Sequence, residues 1–454
     1  MERTTSYLLY SCDLPSVSCR SCRPFIDLPY IPNVTRRFIC SRVRSSARYA
    51  ILGAGFAGLS VAWHLLQHSS KESSMSIDIY DKSDLGGGAS GVSGGLLHPY
   101  SPKGKLLWRG SESWKECLEL LVAAERAVEL SYSSWTSHDQ SYSFDGPIIL
   151  RRQSLYSTYL GILKPATAET KVEILKANAQ NCLTSCSLEL LDGQAATCLV
   201  PNLSVPLDFA IYMPFAMNIH PKRYLQALFL ACKIFATEVS SSPRAVTEIS
   251  LLKKHVNSLR ELDGEYDAVI ICLGAEAGKL PELSGNLPLR NCRGIIAELQ
   301  LPTDLREYSN QSPSILSNAW LAFQGPRQVL MGSTWEWKSN NYSSHVTSEE
   351  AAEAINELLP KVSVVYPAIK KWGFVGARAG LRAMPPLTPL GSLPLLGCVA
   401  GDGNCQYWFV GGLGSRGLLY HGLLGKLMAQ AVVSSDEALL PSELTSWKSK
   451  SIQN

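Results

Sequence analysis

Residues 53–58, Gly-Ala-Gly-Phe-Ala-Gly, decide the fold predicted from this sequence. In a turn between a strand and a helix, Gly53 allows the tight bend and Gly55 allows a pyrophosphate to approach the backbone. Gly58 lets the helix pack closely on the strand, with its N-terminus aimed at the phosphates. The hexapeptide therefore predicts a dinucleotide-binding turn.

The flanking sequence supplies the context that this turn needs. A short apolar strand is predicted over 48–52, a helix with one apolar face over 57–68, and a second strand over 77–81. Asp81 ends the second strand, 23 positions beyond Gly58, where a carboxylate accepts hydrogen bonds from ribose hydroxyls. This β-turn-α-β unit fits FAD and NAD equally. The alternative to a ribose-binding role for Asp81 is an acidic residue that is merely solvated at the end of a strand.

A second glycine-rich segment, 86–95, follows the unit and is too rich in glycine to predict a regular element. Its small residues would let the chain run against a flat or anionic ligand, with backbone N–H groups and Ser90 as donors. A flexible linker is the alternative. The contacts assigned to this segment and the apolar run after it are Ala89, Ser90, Gly95 and Leu96.

Two later segments add cofactor contacts. A buried strand over 266–274 ends at Gly274, where glycine would let the backbone pass the cofactor. Residues 411–418, Gly-Gly-Leu-Gly-Ser-Arg-Gly-Leu, begin the closing helix predicted over 418–433. A helix N-terminus there presents N–H groups to the electron-rich edge of a flavin. The candidate cofactor contacts in this octet are Gly412, Gly414, Ser415 and Gly417.

Bulk composition excludes several classes of protein. The 454 residues are 46% hydrophobic and 18% charged, and their apolar runs are too short to predict a membrane span. The thirteen cysteines have neither disulfide nor metal-ligand spacing, so no metal site is predicted. The net charge of +3 becomes about −2 without the first 48 residues, which gives no global footprint for nucleic acid.

The first 48 residues have the composition of an organelle transit peptide. They contain eight arginines, three acidic residues and many serines, without a persistent hydrophobic period. We expect a chloroplast address, with the mitochondrion as the alternative, and a disordered extension without an address as a second alternative. The composition leaves the oligomeric state open.

Together, these motifs resemble the D-amino-acid oxidase superfamily of FAD enzymes over almost all of 49–433. The patterns 88–91, 95–99 and 411–418 are most similar to the FAD oxidoreductase domain of bacterial bifunctional tRNA 5-methylaminomethyl-2-thiouridine biosynthesis proteins. The resemblance implies non-covalent FAD, because no cysteine is placed as in the covalently flavinylated relatives. It also implies an α/β fold, in which a Rossmann-type, glutathione-reductase-like FAD domain carries an inserted mixed β-sheet substrate domain.

The domain boundaries expected from the sequence interleave the two halves of the protein. They are 1–48 for the transit peptide, 49–140, 219–290 and 376–436 for the FAD-binding domain, 141–218 and 291–375 for the substrate domain, and 437–454 for a C-terminal tail.

The resemblance also assigns chemistry. Residues 380–382, Gly-Leu-Arg, match the family's turn that binds a substrate carboxylate, although Ala383 replaces the family's proline. Arg382 would then bind the carboxylate while a hydride leaves the adjacent carbon, and Arg416 would be a second carboxylate or flavin contact. From the residues alone, surface solvation or an ion pair is the alternative for Arg378 and Arg382. Weaker pocket candidates are His98, Tyr212 and Trp335.

Three functional hypotheses follow. The first is oxidation of the carboxymethylaminomethyl group of tRNA wobble uridine, releasing glyoxylate and reducing O₂. The second is oxidation of a free small amino acid such as glycine or sarcosine, and the third is a flavin-binding module without turnover. A tRNA enzyme needs cations at the mouth of its pocket, for which two groups are candidates: Lys103, Lys105 and Arg109, or Lys361, Lys370 and Lys371.

Overall fold

The computed structural model describes residues 46–69, 73–133, 148–151, 161–240, 246–306, 308–309, 311–402 and 405–450. The predicted transit peptide lies almost wholly outside the described residues. None of the described helices is long and apolar enough to cross a membrane.

Strands make up both halves of the molecule. In chain order they are β1 (Ser46–Leu52), β2 (Ser74–Asp81), β3 (Leu96–Leu97), β4 (Ile149–Arg151), β5 (Ile162–Pro165), β6 (Glu189–Leu191), β7 (Ala210–Met213), β8 (Met217–Ile219), β9 (Thr247–Lys253) and β10 (Ala268–Ile271). They continue with β11 (Arg290–Gln300), β12 (Ser314–Leu316), β13 (Trp320–Phe323), β14 (Gln328–Gly332), β15 (Glu336–Trp337), β16 (Gly373–Met384), β17 (Leu387–Thr388), β18 (Gly391–Ser392), β19 (Leu395–Asp402) and β20 (Cys405–Gly411).

Helices alternate with these strands along the chain, and the last three helices follow β20. They are α1 (Phe56–Gln67), α2 (Ala89–Val92), α3 (Gly110–Ser133), α4 (Glu169–Ala179), α5 (Gly193–Leu199), α6 (Pro221–Val239), α7 (Ser348–Ser363), α8 (Gly417–Ser434), α9 (Ser442–Thr445) and α10 (Trp447–Lys450). Four 3-10 helices add Leu259–Leu262, Gly274–Lys279, Pro367–Lys371 and Glu437–Leu439.

The nucleotide-binding half is built on a six-stranded sheet in the order β19-β20-β10-β1-β2-β9. Strands β20, β10, β1, β2 and β9 are parallel, and the edge strand β19 is antiparallel to β20. Ile51 packs into the core shared with α1 and α8, whereas Leu52 packs into the core on the opposite face. A parallel strand covered on both faces must be apolar throughout, which explains the run predicted over 48–52.

The second half is built on a nine-stranded mixed sheet in the order β15-β11-β14-β13-β12-β5-β7-β6, with β16 paired to the other side of β11. Two small sheets, β3-β8-β4 and β17-β18, complete the fold. The predicted combination of a Rossmann-type domain with a mixed-sheet substrate domain is confirmed.

Three details correct the sequence predictions. The segment 86–95 contains the short helix α2, so it is not irregular throughout. Strand β16 belongs to the larger sheet as far as Met384, so that sheet continues past the predicted boundary at 376. Residues 437–450 are not a loose tail, because Trp447 is buried and its indole N–H donates to the carbonyl oxygen of Leu396 at 2.9 Å.

Candidate active site

A cavity of about 510 Å³ is lined by residues of the nucleotide-binding half and by one face of the larger sheet. Its wall includes the glycine turn before α1, helix α2, the N-terminus of α8, and residues of β5, β7, β14 and β16. Among the described residues that line it, none is Asp or Glu, and the ionisable cations are Lys164, Arg382 and Arg416. The cavity is therefore suited to anionic and electron-rich ligands.

The glycines of residues 53–58 are required by close backbone contacts. Gly53 has a φ of +106°, and a Cβ there would lie 2.6 Å from the carbonyl oxygen of Cys272. A Cβ on Gly58 would lie 1.9 Å from the carbonyl oxygen of Gly53. Neither position accepts even alanine, because the obstructing atoms belong to the backbone. The predicted tight turn and close helix-strand packing are both present.

The N-terminus of α1 faces the cavity without an acidic residue in its first turn. The Ser90 hydroxyl oxygen accepts a hydrogen bond from the backbone N–H of Phe56 at 3.1 Å, and a Cβ on Gly55 would lie 2.9 Å from that oxygen. Ser90 therefore fixes the helix start in addition to lining the cavity. The positive end of the helix dipole suits a pyrophosphate.

Asp81 holds the glycine turn in place. One carboxylate oxygen accepts from the backbone N–H of Ala54 at 2.8 Å, and the other accepts from that of Ser83 at 2.8 Å. Burial raises the pKa of this carboxyl group, whereas the two hydrogen bonds lower it. Asp81 does not line the cavity, so the ribose contact stays a prediction. Asp78, the other acidic residue of β2, accepts a hydrogen bond from the Tyr266 hydroxyl at 2.8 Å.

The predicted contacts on 89–96 and Gly274 also lie in the cavity wall. Gly95 has a φ of +74°, and a Cβ there would lie 1.9 Å from the Ile219 carbonyl oxygen. Gly274 has a φ of +58° with open space around its Cβ position, so conformation alone favours glycine there. Ala89 and Leu96 complete this part of the wall.

The closing helix α8 also begins at the cavity. Arg416 is its N-cap residue, and the first turn contains neither an acidic residue nor a capping hydrogen bond from a side chain. The glycines before it, Gly412 and Gly414, have φ values of +67° and +54°. Both line the cavity together with Ser415 and Gly417, and their contact with the cofactor stays a prediction.

Arg382 lies on β16 with its guanidinium in the cavity wall. Nη2 donates to the carbonyl oxygen of Thr334 at 2.7 Å, Nη1 donates to the Ser333 hydroxyl at 3.3 Å, and Nε donates to the carbonyl oxygen of Cys292 at 3.4 Å. The Trp335 ring lies beneath the guanidinium, with 4.0 Å between the ring centroid and Cζ. Burial lowers the pKa of Arg382, but a guanidinium stays charged at neutral pH.

No carboxylate forms an ion pair with Arg382 among the described residues. The Nη1 edge beside Ser333 is therefore the part of the side chain that remains for a ligand. The predicted turn at 380–382 is corrected, because these residues lie within the regular strand β16, and Ala383 continues that strand. Strand pairing with β11, rather than a turn, sets the position of Arg382.

Other candidates divide into those that reach the cavity and those that do not. His98 and Trp335 line it, whereas Tyr212 is buried in the separate core of the larger sheet. Arg378 does not line it and pairs with Glu298 at 3.2 Å. Of the two non-functional interpretations, surface solvation or an ion pair, the ion pair therefore applies to Arg378. Arg382 forms no ion pair among the described residues.

The two lysine groups also differ in position. Ser101, Pro102 and Gly104 line the cavity, which places the exposed Lys103 and Lys105 beside it. The second group, Lys361, Lys370 and Lys371, lies on α7 and the 3-10 helix after it and does not line the cavity.

Among the cavity residues that the sequence did not single out are three polar ones, Lys164, Ser317 and Ser333. Lys164 interrupts the apolar run Ile-Leu-Lys-Pro of β5, and a lysine within a buried strand was the available signal. Ser317 follows β12 and has no comparable signal in the sequence.

FAD fits this arrangement. The turn at 53–58 leaves no room for side chains where a pyrophosphate must approach, and two helices begin at the cavity with no acidic residue in either first turn. The glycine backbone N–H groups at the starts of α1 and α8 would face the anionic and electron-rich parts of the cofactor. No cluster of three or more His, Cys, Asp or Glu suited to a metal ion occurs among the described residues.

The fold and the cavity thus define a flavin-dependent oxidoreductase. Residues 48–431 match the DAO family of FAD dependent oxidoreductases, and the chain belongs to this family of amino-acid and amine oxidoreductases. That match resolves the choice between FAD and NAD in favour of FAD.

Curated relatives match parts of the chain. One is the tRNA 5-methylaminomethyl-2-thiouridine biosynthesis bifunctional protein MnmC of Thiobacillus denitrificans, 28% identical over 177 residues that cover 37% of this chain and 26% of the relative. Another is the putative thiamine biosynthesis oxidoreductase ThiO of Rhizobium etli, 25% identical over 240 residues that cover 52% of this chain and 58% of the relative. The matches thus span only about a quarter and just over half of these relatives.

Solved structures match the fold over most of the chain. Glycine oxidase from Geobacillus kaustophilus has a TM-score of 0.62 at 18% identity, covering 88% of this chain and 98% of that one. L-proline dehydrogenase from P. horikoshii has a TM-score of 0.64 at 15% identity, covering 89% and 98%. At these identities the likeness establishes the architecture.

Proposed function

We propose that this enzyme oxidises the C–N bond of a glycine-like secondary amine whose carboxylate is bound by Arg382. The observation that carries the proposal is the half-buried guanidinium of Arg382, which lines the cavity without a carboxylate partner among the described residues. A charged group in such a position is stabilised by an anionic ligand. FAD, when bound, would accept a hydride from the carbon between the amine and the carboxylate.

The residues of the chain bind and orient this substrate. The Nη1 edge of Arg382 and the Ser333 hydroxyl would donate hydrogen bonds to the carboxylate. Trp335 stacks on the guanidinium and restricts its rotation, which fixes the direction of the bound carboxylate. Hydrolysis of the imine product then yields glyoxylate and the primary amine. The amine must be neutral when the hydride leaves, and we assign no residue of the chain as its general base.

The first candidate substrate is the carboxymethylaminomethyl group of tRNA wobble uridine. The similarity to MnmC and the exposed Lys103 and Lys105 beside the cavity support this candidate. Oxidation at the glycyl carbon would release glyoxylate and leave the aminomethyl base on the tRNA.

The second candidate is a free small amino acid or N-methyl amino acid, such as glycine or sarcosine. The similarity to ThiO and the glycine oxidase architecture support it. The near-neutral charge beyond the first 48 residues also fits a substrate other than nucleic acid.

Flavin bleaching under nitrogen distinguishes these candidates. Purified holoenzyme is mixed with glycine, with sarcosine and with tRNA that carries the carboxymethylaminomethyl group, and the tRNA nucleosides are then analysed. Bleaching by tRNA with conversion of the modified base supports the first candidate. Bleaching by free amines with unchanged nucleosides rejects it. FAD that stays oxidised with every amine would identify a flavin-binding module and reject the proposed reaction.

Three further features belong to this proposal. The first is that FAD is held non-covalently. Cys272 lines the cavity, and burial raises the pKa of its thiol, so that little of the reactive thiolate is present. Acid precipitation of the protein should therefore release all the flavin.

The second is that O₂ accepts the electrons, which an assay for hydrogen peroxide tests. The first 48 residues direct the protein to the chloroplast, and imaging of a fusion of this segment with a fluorescent protein distinguishes plastids from mitochondria.

A further inference from the structure

The cavity has a second cationic region, distinct from Arg382, which we call the Lys164 region; it consists of Lys164, Ser317 and Arg416. Lys164 lies on β5, which pairs in parallel with β12, and Ser317 directly follows β12. Arg416 is close enough to Lys164 to lower the pKa of the lysine through charge repulsion. All three residues line the cavity.

The polar groups of this region have no partners that explain their burial. Neither Lys164 nor Arg416 forms an ion pair among the described residues. The Ser317 hydroxyl oxygen is buried and makes no hydrogen bond within the described part of the chain. Lys164 and Arg416 are half-buried and the Ser317 hydroxyl oxygen is buried, so their removal from water costs free energy unless a ligand pairs with them. Three such groups in one region indicate a binding site.

The region is positively charged at neutral pH. Burial lowers the pKa of Lys164 to about 8, with smaller contributions from Lys171 and Arg416. Arg416 keeps its charge although burial also lowers its pKa. His98, which faces both cations, is neutral because burial lowers its pKa well below the usual value. The ligand of this region must therefore be an anion.

The position of the region separates this anion from the two already assigned. The glycine turn and the N-terminus of α1 account for the pyrophosphate of FAD, on the half of the molecule that does not contain Lys164 and Ser317. Arg382 accounts for the carboxylate beside the oxidised carbon. Strands β16 and β5 are five strand-to-strand steps apart in the order β16-β11-β14-β13-β12-β5, about 24 Å along the sheet at about 4.8 Å per step. Arg416 lies nearer to Arg382, because the backbone N–H of Gly414 donates to the carbonyl oxygen of Ala383 at 3.0 Å. A carboxylate bound by Arg382 therefore leaves Lys164 without an anion.

We propose that the amine part of the substrate ends in a second anionic group, a carboxylate or a phosphate, which Lys164 and Arg416 bind. The inference rests on the proposed C–N oxidation and concerns its free-amine form, because the anions of a tRNA substrate are backbone phosphodiesters rather than a terminal carboxylate or phosphate. The separation of the two regions predicts a chain of several carbons between the nitrogen and the second anion. The class of substrate is thus an N-carboxymethyl ω-amino acid or its phosphorylated counterpart.

The test compares anionic with neutral amine parts of equal length. N-carboxymethyl amines with terminal carboxylates two to six carbons from the nitrogen, their phosphonate homologues and matched N-alkylglycines are assayed by anaerobic flavin reduction. We expect kcat/KM to be higher for one length of the anionic series than for its neutral match. In Lys164→Met, the ratio of kcat/KM for the anionic substrate to kcat/KM for its neutral match should fall about 10- to 100-fold, because one charge-assisted hydrogen bond is lost.

Matched variants separate this role from others. Lys171→Met removes an exposed lysine that does not line the cavity and should leave the ratio unchanged, while Lys164→Arg should restore much of it. An equal loss for anionic and neutral substrates in Lys164→Met, with a lowered flavin reduction potential, would assign Lys164 to the flavin and overturn the inference. A higher kcat/KM for the carboxylate series than for the phosphonate series identifies the second anion as a carboxylate, and the reverse order identifies it as a phosphate.

A binding measurement keeps this inference separate from the proposed reaction. Linear dicarboxylates without an amine cannot be oxidised, but their binding is followed by perturbation of the flavin absorbance. If no amine reduces the flavin while Lys164→Met still weakens dicarboxylate binding at least 10-fold, the reaction fails and the second anion site stands. If dicarboxylates bind the variant as tightly as the native protein, the inference is wrong.

Discussion

Replacing Arg382 by methionine tests the anchor on which the proposed reaction depends. The Nη1 edge and the cation charge are lost, while the apolar contact with Trp335 is kept. The charge-assisted hydrogen bond from Nη1 to a carboxylate contributes about 1.5–3 kcal/mol. Because each 1.4 kcal/mol is a factor of ten, kcat/KM should fall roughly 10- to 100-fold. Stopped-flow flavin reduction under nitrogen measures this loss.

Arg378→Met is the matched control, since Arg378 lies on the same strand but pairs with Glu298 and does not line the cavity. It should keep kcat/KM within about three-fold of the native value, because this half-buried ion pair lies outside the cavity wall. Arg382→Met loses donors to backbone carbonyl oxygens, so FAD content and thermal unfolding are measured for both variants. A folded, FAD-loaded Arg382→Met enzyme with native kcat/KM refutes the assignment.

Three further predictions concern the glycine segment, acid stability and nucleic acid. Gly91→Ala places a Cβ 2.1 Å from a backbone carbonyl oxygen and should lower FAD retention and Tm; Gly88→Ala, with open space around its Cβ, should change neither. Burial lowers the pKa of His421 to about 4, so its unfolded form gains a proton first as pH falls below about 6.5. Protonation of the unfolded form lowers the free energy of unfolding by about 2 kcal/mol at pH 5. The Tm of His421→Gln should therefore decrease less between pH 7 and pH 5 than the Tm of the native protein. An equal decrease in both proteins would contradict this role of His421. If tRNA is the substrate, replacing Lys103 and Lys105 by serine should reduce the log–log salt slope of tRNA binding by about 1.5, whereas an unchanged slope excludes contact by these lysines.

Local sequence determined the nucleotide-binding unit. The turn at 53–58, the strand before it and the acid at the end of β2 are close in the chain, and each follows from short-range constraints on the backbone. Gly53 and Gly58 are needed because other backbone atoms occupy the space of a Cβ, and this spacing is visible in the sequence. The resemblance to the D-amino-acid oxidase superfamily added the interleaved architecture.

Only the tertiary structure decided which charged side chains share the cavity. Arg378 and Arg382 are alike in the sequence, but their positions along β16 separate an ion pair from an unpaired cation in the cavity wall. Lys164 and Arg416 are 252 positions apart and meet because β5 and α8 line the same cavity from the two halves of the protein. The physical reason is that burial and pairing of a charge depend on long-range packing, which the sequence periodicity of a single strand does not contain.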